Sequence, residues 1–297
     1  MAYTEAQFTG ATGLTLAASI YRGSSTSGAG ARPVMLLHGG GQTRHSFDKT
    51  CRKLAATGFT AIAIDQRGHG DSEWAKDEGY EYSDFAADAA TVAEEIARRY
   101  GRKPVSIGAS LGGNSSLMAC EPGQDAPFAG LVLVDVTPRM ETAGLAAIHG
   151  FMTQHSLDGF VSVEAAAEAI AAYMPHRPKP RSLNGLSKNL RHRDGRYFWH
   201  WDPAFFAGSR PISADRYGVE RVLLKAAAGL NVPTLLVRGR SSELVSEELA
   251  QEFLSLAPHA KYADIGGAHH MVAGDDNDTF SAAILSFLSE NFSPQEA

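Results

Sequence analysis

The sequence predicts an α/β protein with a mostly parallel central sheet flanked by helices and with a helical cap insertion. Short continuous apolar runs recur along the chain, and such runs are typical of strands buried on both faces of a sheet. Helical patterns separate these runs, and this alternation indicates βαβ units. The alternation stops between residues 137 and 229, where we find no strand-like run.

The predicted elements follow in chain order. Residues 7–9 and 14–21 should form a hairpin around a turn at residues 10–13. Buried strands are predicted at five apolar runs and at one weaker run near the C-terminus, namely residues 33–37, 61–64, 105–107, 131–134, 234–237 and 260–265. The clearest helix covers residues 83–100, where apolar side chains recur at helical spacing between cap signals at Ser83 and Gly101.

Residues 1–136 and 230–297 are therefore expected to form one core domain, and residues 137–229 a helical cap domain. The insertion contains an Ala-rich helical pattern over residues 163–172 and an aromatic cluster over residues 197–206. His200 lies in this cluster, and we expect it on the cap surface or in the pocket lining.

The composition excludes several classes of protein. With 44% hydrophobic and 20% charged residues, the chain of 297 residues is globular, and its net charge of −6 argues against non-specific nucleic-acid binding. No apolar run approaches the length of about 18 residues that a membrane span needs, and a signal-peptide pattern is not found at the N-terminus. The two cysteines cannot form a disulfide framework. We expect a cytoplasmic monomer or homodimer whose partner is a small-molecule substrate, without nucleic-acid or membrane binding.

The nucleophile candidate lies in a Gly-x-Ser-x-Gly motif at residues 108–112, between a buried strand and a helical pattern. A sharp turn of this kind strains the backbone of Ser110 and exposes its hydroxyl, while Gly108 and Gly112 allow close backbone packing. The helix N-terminus behind the serine adds partial positive charge where an oxyanion would form, and the N–H of Leu111 would be one of its two donors.

A second glycine-rich segment, His-Gly-Gly-Gly at residues 38–41, follows the first predicted buried strand. It can turn backbone N–H groups towards a ligand, so we expect the second oxyanion donor from Gly40, with Gly41 as the alternative. The segment lacks the Gly-Lys-Ser/Thr and Gly-x-Gly-x-x-Gly patterns of nucleotide sites. His38 is expected to be a structural histidine.

Two adjacent histidines follow the last predicted strand, in a loop that can reach back to the serine. Together with the two glycine motifs and an Asp-x-Arg-Gly-x-Gly-x-Ser pattern at residues 65–72, this loop resembles the α/β-hydrolase fold superfamily. The resemblance covers essentially the whole chain outside residues 137–229, where it implies a helical cap. It also implies that His270, which precedes the bulky Met271, is the catalytic base in preference to His269.

The resemblance further implies an acid placed between the serine and the histidine in chain order. Glu243, in the loop after the penultimate core strand, is the preferred acid, although most relatives carry Asp there. Asp135, which follows the strand after the elbow, is the alternative. We interpret Asp65 and Asp71 as carboxylates that order their loop by pairing with Arg67.

A Ser–His–acid triad favours acyl transfer through an acyl-enzyme and needs neither a metal nor a cofactor. Serine excludes the epoxide hydrolases and haloalkane dehalogenases of this fold, which need a carboxylate nucleophile. We expect a serine hydrolase for a small to medium hydrophobic carboxylic ester, thioester or lactone. The same triad could instead support hydrolysis of a carbon–carbon bond or perhydrolysis, as in haloperoxidase-like relatives. The alternative from another class is a non-catalytic ligand-binding protein on the same scaffold.

Large apolar side chains of the cap should line the substrate pocket. The candidates are Phe151, Trp199, Trp201 and Met271. Because Trp199 and Trp201 are two positions apart and would face differently on a helix, at most one of them is expected in the pocket.

Overall fold

The computed structural model describes residues 3–23, 31–173, 183–187, 189–266 and 278–292. Within these residues the strands are β1 (Thr4–Thr9), β2 (Thr15–Tyr21), β3 (Pro33–Leu37), β4 (Thr60–Ile64), β5 (Val105–Ala109), β6 (Gly130–Val134), β7 (Leu190–Arg193), β8 (Arg196–Trp199), β9 (Thr234–Gly239) and β10 (Lys261–Ile265). The helices are α1 (Asp48–Ala56), α2 (Tyr82–Tyr100), α3 (Leu111–Met118), α4 (Thr142–Thr153), α5 (Val163–Tyr173), α6 (Asn184–Ser187), α7 (Ala204–Ala207), α8 (Arg216–Ala228), α9 (Glu247–Leu256) and α10 (Asp278–Asn291).

Eight strands form the central sheet, in the order β1-β2-β4-β3-β5-β6-β9-β10. β1 pairs antiparallel with β2, and β2 pairs antiparallel with β4. All the other pairs of this sheet are parallel. The predicted N-terminal hairpin, the five buried strands at the stronger apolar runs and the mostly parallel sheet are thus confirmed. The sixth predicted strand is present as β10, but most of its residues are only half-buried because it lies at the edge of the sheet.

The central strands are buried along their whole length because helices cover both faces of the sheet. Successive side chains of a strand point to opposite faces. Met35 of β3 accordingly packs in one core layer with residues of α2, α3, α8 and α9, whereas Leu36 packs in a second layer with residues of α1 and α10. The parallel strands therefore end together at one edge of the sheet, where their loops can build a site.

The predicted helix over residues 83–100 is present as α2. Its N-cap is Glu81 rather than Ser83, because the side chains of Glu81 and Asp84 form a reciprocal capping box with the backbone. The helix ends at Gly101, whose φ of 74° is the left-handed conformation that favours glycine.

Residues 137–229 contain α4 to α8, but they also contain a two-stranded hairpin of β7 and β8. The prediction that this segment holds no strand is wrong. Asp194 and Gly195 join the two strands, and both have positive φ, at 51° and 75°, which is the combination of a two-residue type I′ turn. α8 packs against α3, and its Leu223 and Ala227 belong to the core beside the sheet.

None of the helices in the described residues combines the length and the hydropathy that a membrane span needs.

Candidate active site

Ser110 occupies a strained turn between β5 and α3. Its φ of 46° and ψ of −111° lie in a region that residues with a side chain rarely adopt. The N–H of Ser110 donates to the carbonyl of Val134 over 3.1 Å, which ties the turn to the end of β6. A Cβ at Gly108 would collide with the backbone of Gly112, and one at Gly112 would collide with that of Leu37. The predicted roles of both glycines are confirmed.

The glycine-rich loop after β3 lies beside the serine. A Cβ built on Gly39 would be 3.5 Å from the Cβ of Ser110. The N–H of Gly39 donates to Oε1 of Gln42 over 3.2 Å, and the N–H of Gly41 donates to Nε2 of His69 over 3.1 Å. Gly41, the alternative oxyanion donor, is therefore already engaged. Within the described part of the chain, the N–H of Gly40 has no hydrogen-bond partner, so it is available to a substrate oxygen.

His38 is completely buried at the start of this loop. Its Nδ1–H donates to the carbonyl of Gly39 over 2.8 Å, and its Nε2 accepts from the N–H of Gln66 over 3.0 Å. Burial lowers the pKa of the imidazole to about 3, so it stays neutral. The prediction of a structural histidine is confirmed, because both ring nitrogens are occupied by backbone.

Two further buried histidines continue from His38, and we call the three the histidine row (His38, His69 and His200). The ring centroids of His38 and His69 are 5.2 Å apart, and those of His69 and His200 are 5.9 Å apart. Burial lowers the pKa of each of the latter two to about 3. His200 is thus buried rather than on the surface, and the hydrogen bond of its Nε2–H to the carbonyl of Gly41, over 3.2 Å, was not predicted. Its place in the aromatic cluster of residues 197–206 was the available signal.

The two candidate acids differ in environment. Asp135 directly follows β6, has a φ of 49°, and is completely buried. Its Oδ1 accepts from the N–H of Gly239 over 2.9 Å and its Oδ2 accepts from the hydroxyl of Ser242 over 2.6 Å. Glu243, by contrast, is exposed. Burial and then the negative charge of Glu243 raise the pKa of the Tyr173 phenol, which places Glu243 beside the C-terminal end of α5.

The candidate base His270, its neighbour His269 and the candidate pocket residue Met271 lie outside the described residues. β10, after which they follow in the chain, pairs in parallel with β9 at the edge of the sheet. Among the residues that the structure does describe, no group of three or more His, Cys, Asp or Glu side chains is arranged to hold a metal ion.

The loop at residues 65–72 is ordered by different ion pairs from those predicted. Asp65 and Asp71 both pair with Arg44, which is buried before α1. Arg67 instead donates two hydrogen bonds of 2.7 and 2.8 Å to the carboxylate of Asp88 in α2. The predicted pairing with Arg67 is wrong, because the arginine side chain points to the helix that packs on the sheet.

Aromatic side chains of residues 137–229 pack over the glycine loop. A Cβ at Gly41 would be 2.6 Å from Cε of Met152 and 3.3 Å from the ring of Trp201, and one at Gly40 would be 3.7 Å from the ring of Phe205. The segment that was predicted as a cap therefore contacts the loop beside the nucleophile.

Trp199 and Trp201 are both buried, and their rings stack at a centroid distance of 4.8 Å and an angle of 12°. The expectation that they face different ways is wrong, because Trp199 ends strand β8, and residues two apart share a face in extended chain. Phe151, the third candidate, lies 5.6 Å from Trp199 between ring centroids. The aromatic candidates that the structure describes thus form one cluster.

Comparisons with known proteins agree with this architecture. The family model of the α/β hydrolase fold matches residues 32–276. The chain is 29% identical over 266 residues to the 2-(acetamidomethylene)succinate hydrolase of Mesorhizobium japonicum, covering 87% of this chain and 89% of that protein. It is 31% identical over 242 residues to esterase Rv0045c of Mycobacterium tuberculosis, and the match covers 78% of this chain and 74% of that protein.

Among solved structures, the crystal structure of E-2-(acetamidomethylene)succinate hydrolase superposes with a TM-score of 0.80 at 26% identity, covering 97% of this chain and 99% of that one. The sheet order, the serine turn and these matches lead to one conclusion: the chain belongs to the α/β-hydrolase fold family and is a hydrolase.

Proposed function

We propose that the protein is a serine hydrolase that cleaves a small to medium hydrophobic carboxylic ester, thioester or lactone through an acyl-enzyme. The observation that carries the proposal is the strained turn at Ser110, flanked by two backbone N–H groups suited to an oxyanion. One is the N–H of Gly40, and the other is that of Leu111 at the first position of α3, where helix N–H groups have no intrahelical partner.

The reaction then follows the acyl-transfer scheme. Oγ of Ser110 attacks the substrate carbonyl carbon while its proton passes to His270. The oxyanion accepts hydrogen bonds from Gly40 and Leu111. His270 gives the proton to the leaving alcohol, the carbon–oxygen bond breaks, and the acyl group stays on Ser110. A water molecule then attacks the ester, with His270 again taking and returning one proton.

We propose Asp135, rather than Glu243, as the acid that orients His270. A triad acid has to be held in a fixed position and shielded from water to stabilise an imidazolium. Asp135 is buried at the end of β6, next in the chain to Val134, whose carbonyl holds Ser110. Two hydrogen bonds fix its carboxylate, and a carboxylate has further lone pairs with which to accept an imidazole N–H. The exposed Glu243 lacks this shielding.

The substrate class is supported by the apolar surroundings of the loop and by the relatives. Met152, Trp201 and Phe205 lie against Gly40 and Gly41, which favours a hydrophobic acyl group. We propose that residues 137–229 act as the cap over the serine. The similarity to an esterase supports an ester substrate, and 2-(acetamidomethylene)succinate, named for the other relative, is the second compound to assay.

The test is hydrolysis of p-nitrophenyl esters of increasing acyl length by the wild-type protein, Ser110→Ala and Ser289→Ala. Ser289 is an exposed serine of α10 and serves as the matched control. Ser110→Ala should abolish turnover and labelling by a fluorophosphonate, whereas Ser289→Ala should leave both unchanged. Full activity of Ser110→Ala would overturn the mechanism.

A further inference from the structure

The backbone of Gly41 is held by histidines at both its N–H and its carbonyl. Its N–H donates to Nε2 of His69 over 3.1 Å, and its carbonyl accepts from Nε2–H of His200 over 3.2 Å. Gly41 has a φ of 73°, a conformation that glycine adopts readily, and it directly follows the residue that offers its N–H to the substrate. The two contacts therefore fix the backbone immediately after the oxyanion donor.

The backbone also determines the tautomer of each ring. Nδ1–H of His69 donates to the carbonyl of Arg67 over 2.9 Å, which leaves Nε2 as the acceptor for the N–H of Gly41. Nδ1 of His200 accepts from the N–H of Gly70 over 2.8 Å, which leaves Nε2–H as the donor to the carbonyl of Gly41. Each neutral imidazole thus acts once as donor and once as acceptor, and protonation of either ring would remove one contact.

We propose that His69 and His200 are positioning residues that fix the backbone of Gly41, so that the N–H of Gly40 is the donor of this loop to the developing oxyanion. This inference rests on the proposed acyl-transfer function. The N–H of Gly41 belongs to the peptide group that starts at Cα of Gly40, so without these contacts the Gly41 N–H would be released and Gly40 would lose the anchor that follows it. Oxyanion donors act through fixed geometry, so the contacts should affect the rate of acyl transfer more than substrate binding.

The two histidines come from different parts of the chain. His69 belongs to the loop after β4, whereas His200 follows β8 in the predicted cap. Two residues after His200, the N–H of Asp202 donates to the carbonyl of Gly68 over 2.8 Å, which joins the predicted cap to the loop that carries His69. The direction of the Gly40 N–H should therefore depend on the packing of residues 200–202 against the core domain.

A matched pair of amide substitutions separates positioning from simple packing. The amide of glutamine reaches the place of Nε2, whereas that of asparagine reaches the place of Nδ1. At both positions Gln can therefore keep the contact with Gly41, and Asn can keep only the contact with Arg67 or Gly70. His192→Asn, at an exposed histidine of β7, is the control. The measurement is kcat and KM for one p-nitrophenyl ester, with circular dichroism as the check on folding.

We expect His69→Asn and His200→Asn to lower kcat by about ten- to a hundredfold, with KM within about twofold of the wild type. The Gln variants should recover most of this loss, and His192→Asn should not change kcat. Equal losses in the Asn and Gln variants, or losses in KM alone, would overturn the inference. Activity that does not depend on Ser110 would instead overturn the proposed function, which the Ser110→Ala measurement shows separately.

Discussion

Replacing Asp135 by asparagine tests the proposed acid with almost no change in side-chain shape. The amide oxygen of Asn can still accept from the N–H of Gly239, but an NH₂ group then faces the hydroxyl of Ser242. Oγ of Ser242 already accepts from the N–H groups of Leu244 and Val245, over 3.1 and 3.2 Å. One hydrogen bond is thus left unmade, and we expect a loss of about 1–3 kcal/mol in the free energy of unfolding.

The catalytic loss should be larger than the loss in stability. Without a carboxylate, His270 loses the group that fixes its tautomer and stabilises its charged form, so kcat should fall by about 10⁴-fold. At about 1.36 kcal/mol for each factor of ten, this corresponds to about 5 kcal/mol of transition-state stabilisation. The protein should remain folded while its activity almost disappears.

The assay compares kcat of Asp135→Asn and Glu243→Gln on one p-nitrophenyl ester, together with urea unfolding of both variants. Because Glu243 is exposed, Glu243→Gln should stay within about twofold of the wild type in kcat. A Glu243→Gln variant that loses several orders of magnitude, beside an Asp135→Asn variant of near-normal activity, would refute the reasoning and assign the acid to Glu243.

Three other perturbations test the packing around the site. Gly41→Ala would force a side chain into a φ of 73° and against Cε of Met152, so we expect at least about a tenfold loss of kcat with the circular dichroism spectrum unchanged. Arg67→Met would leave the buried carboxylate of Asp88 without its positively charged partner, so the free energy of unfolding in urea should fall by about 3–5 kcal/mol, whereas Arg193→Met, at an exposed arginine, should cost little. Burial lowers the pKa values of the three histidines of the row from 6.5 to about 3. The free energy of unfolding should therefore be highest above pH 6.5 and should decrease as the pH falls towards 3. The free energy of unfolding should decrease by up to about 1.4 kcal/mol per pH unit for each histidine. A midpoint of urea unfolding that does not change between about pH 7 and about pH 4 would contradict this pH dependence.

The features that the sequence predicts correctly are encoded by a few neighbouring residues. The turn at residues 108–112 needs only two glycines and a serine between a buried strand and a helix, and Ser110 has the strained backbone expected there. The buried strands follow from short apolar runs, because a sheet covered on both faces tolerates no alternation with polar residues. His38 was also interpreted correctly, although only its contact with Gly39 is local and its other partner, the N–H of Gln66, comes from the loop after β4.

The features that were missed depend on partners far along the chain. Arg67 reaches Asp88, which α2 brings beside it, although Asp65 and Asp71 are nearer in sequence. The choice between Glu243 and Asp135 stays a prediction, and the burial that favours Asp135 cannot be read from the spacing of either residue in the sequence. The hairpin of β7 and β8 was overlooked even though Asp-Gly at residues 194–195 is a strong turn signal. The wrong expectation that Trp199 and Trp201 face different ways followed from assuming a helix where the structure has strand β8.

The contacts around Asp202 have a mechanical consequence for the opening of the site. Oδ2 of Asp202 accepts from the hydroxyl of Tyr80 over 2.6 Å, and Arg210 pairs with Asp84 at the start of α2 over 2.9 Å. Any opening of the proposed cap would therefore have to leave residues 200–210 in place or break these contacts. Because His200 lies in the same stretch and contacts Gly41, substitutions at Asp202 or Arg210 should disturb the glycine loop from a distance, without any change at Ser110 itself.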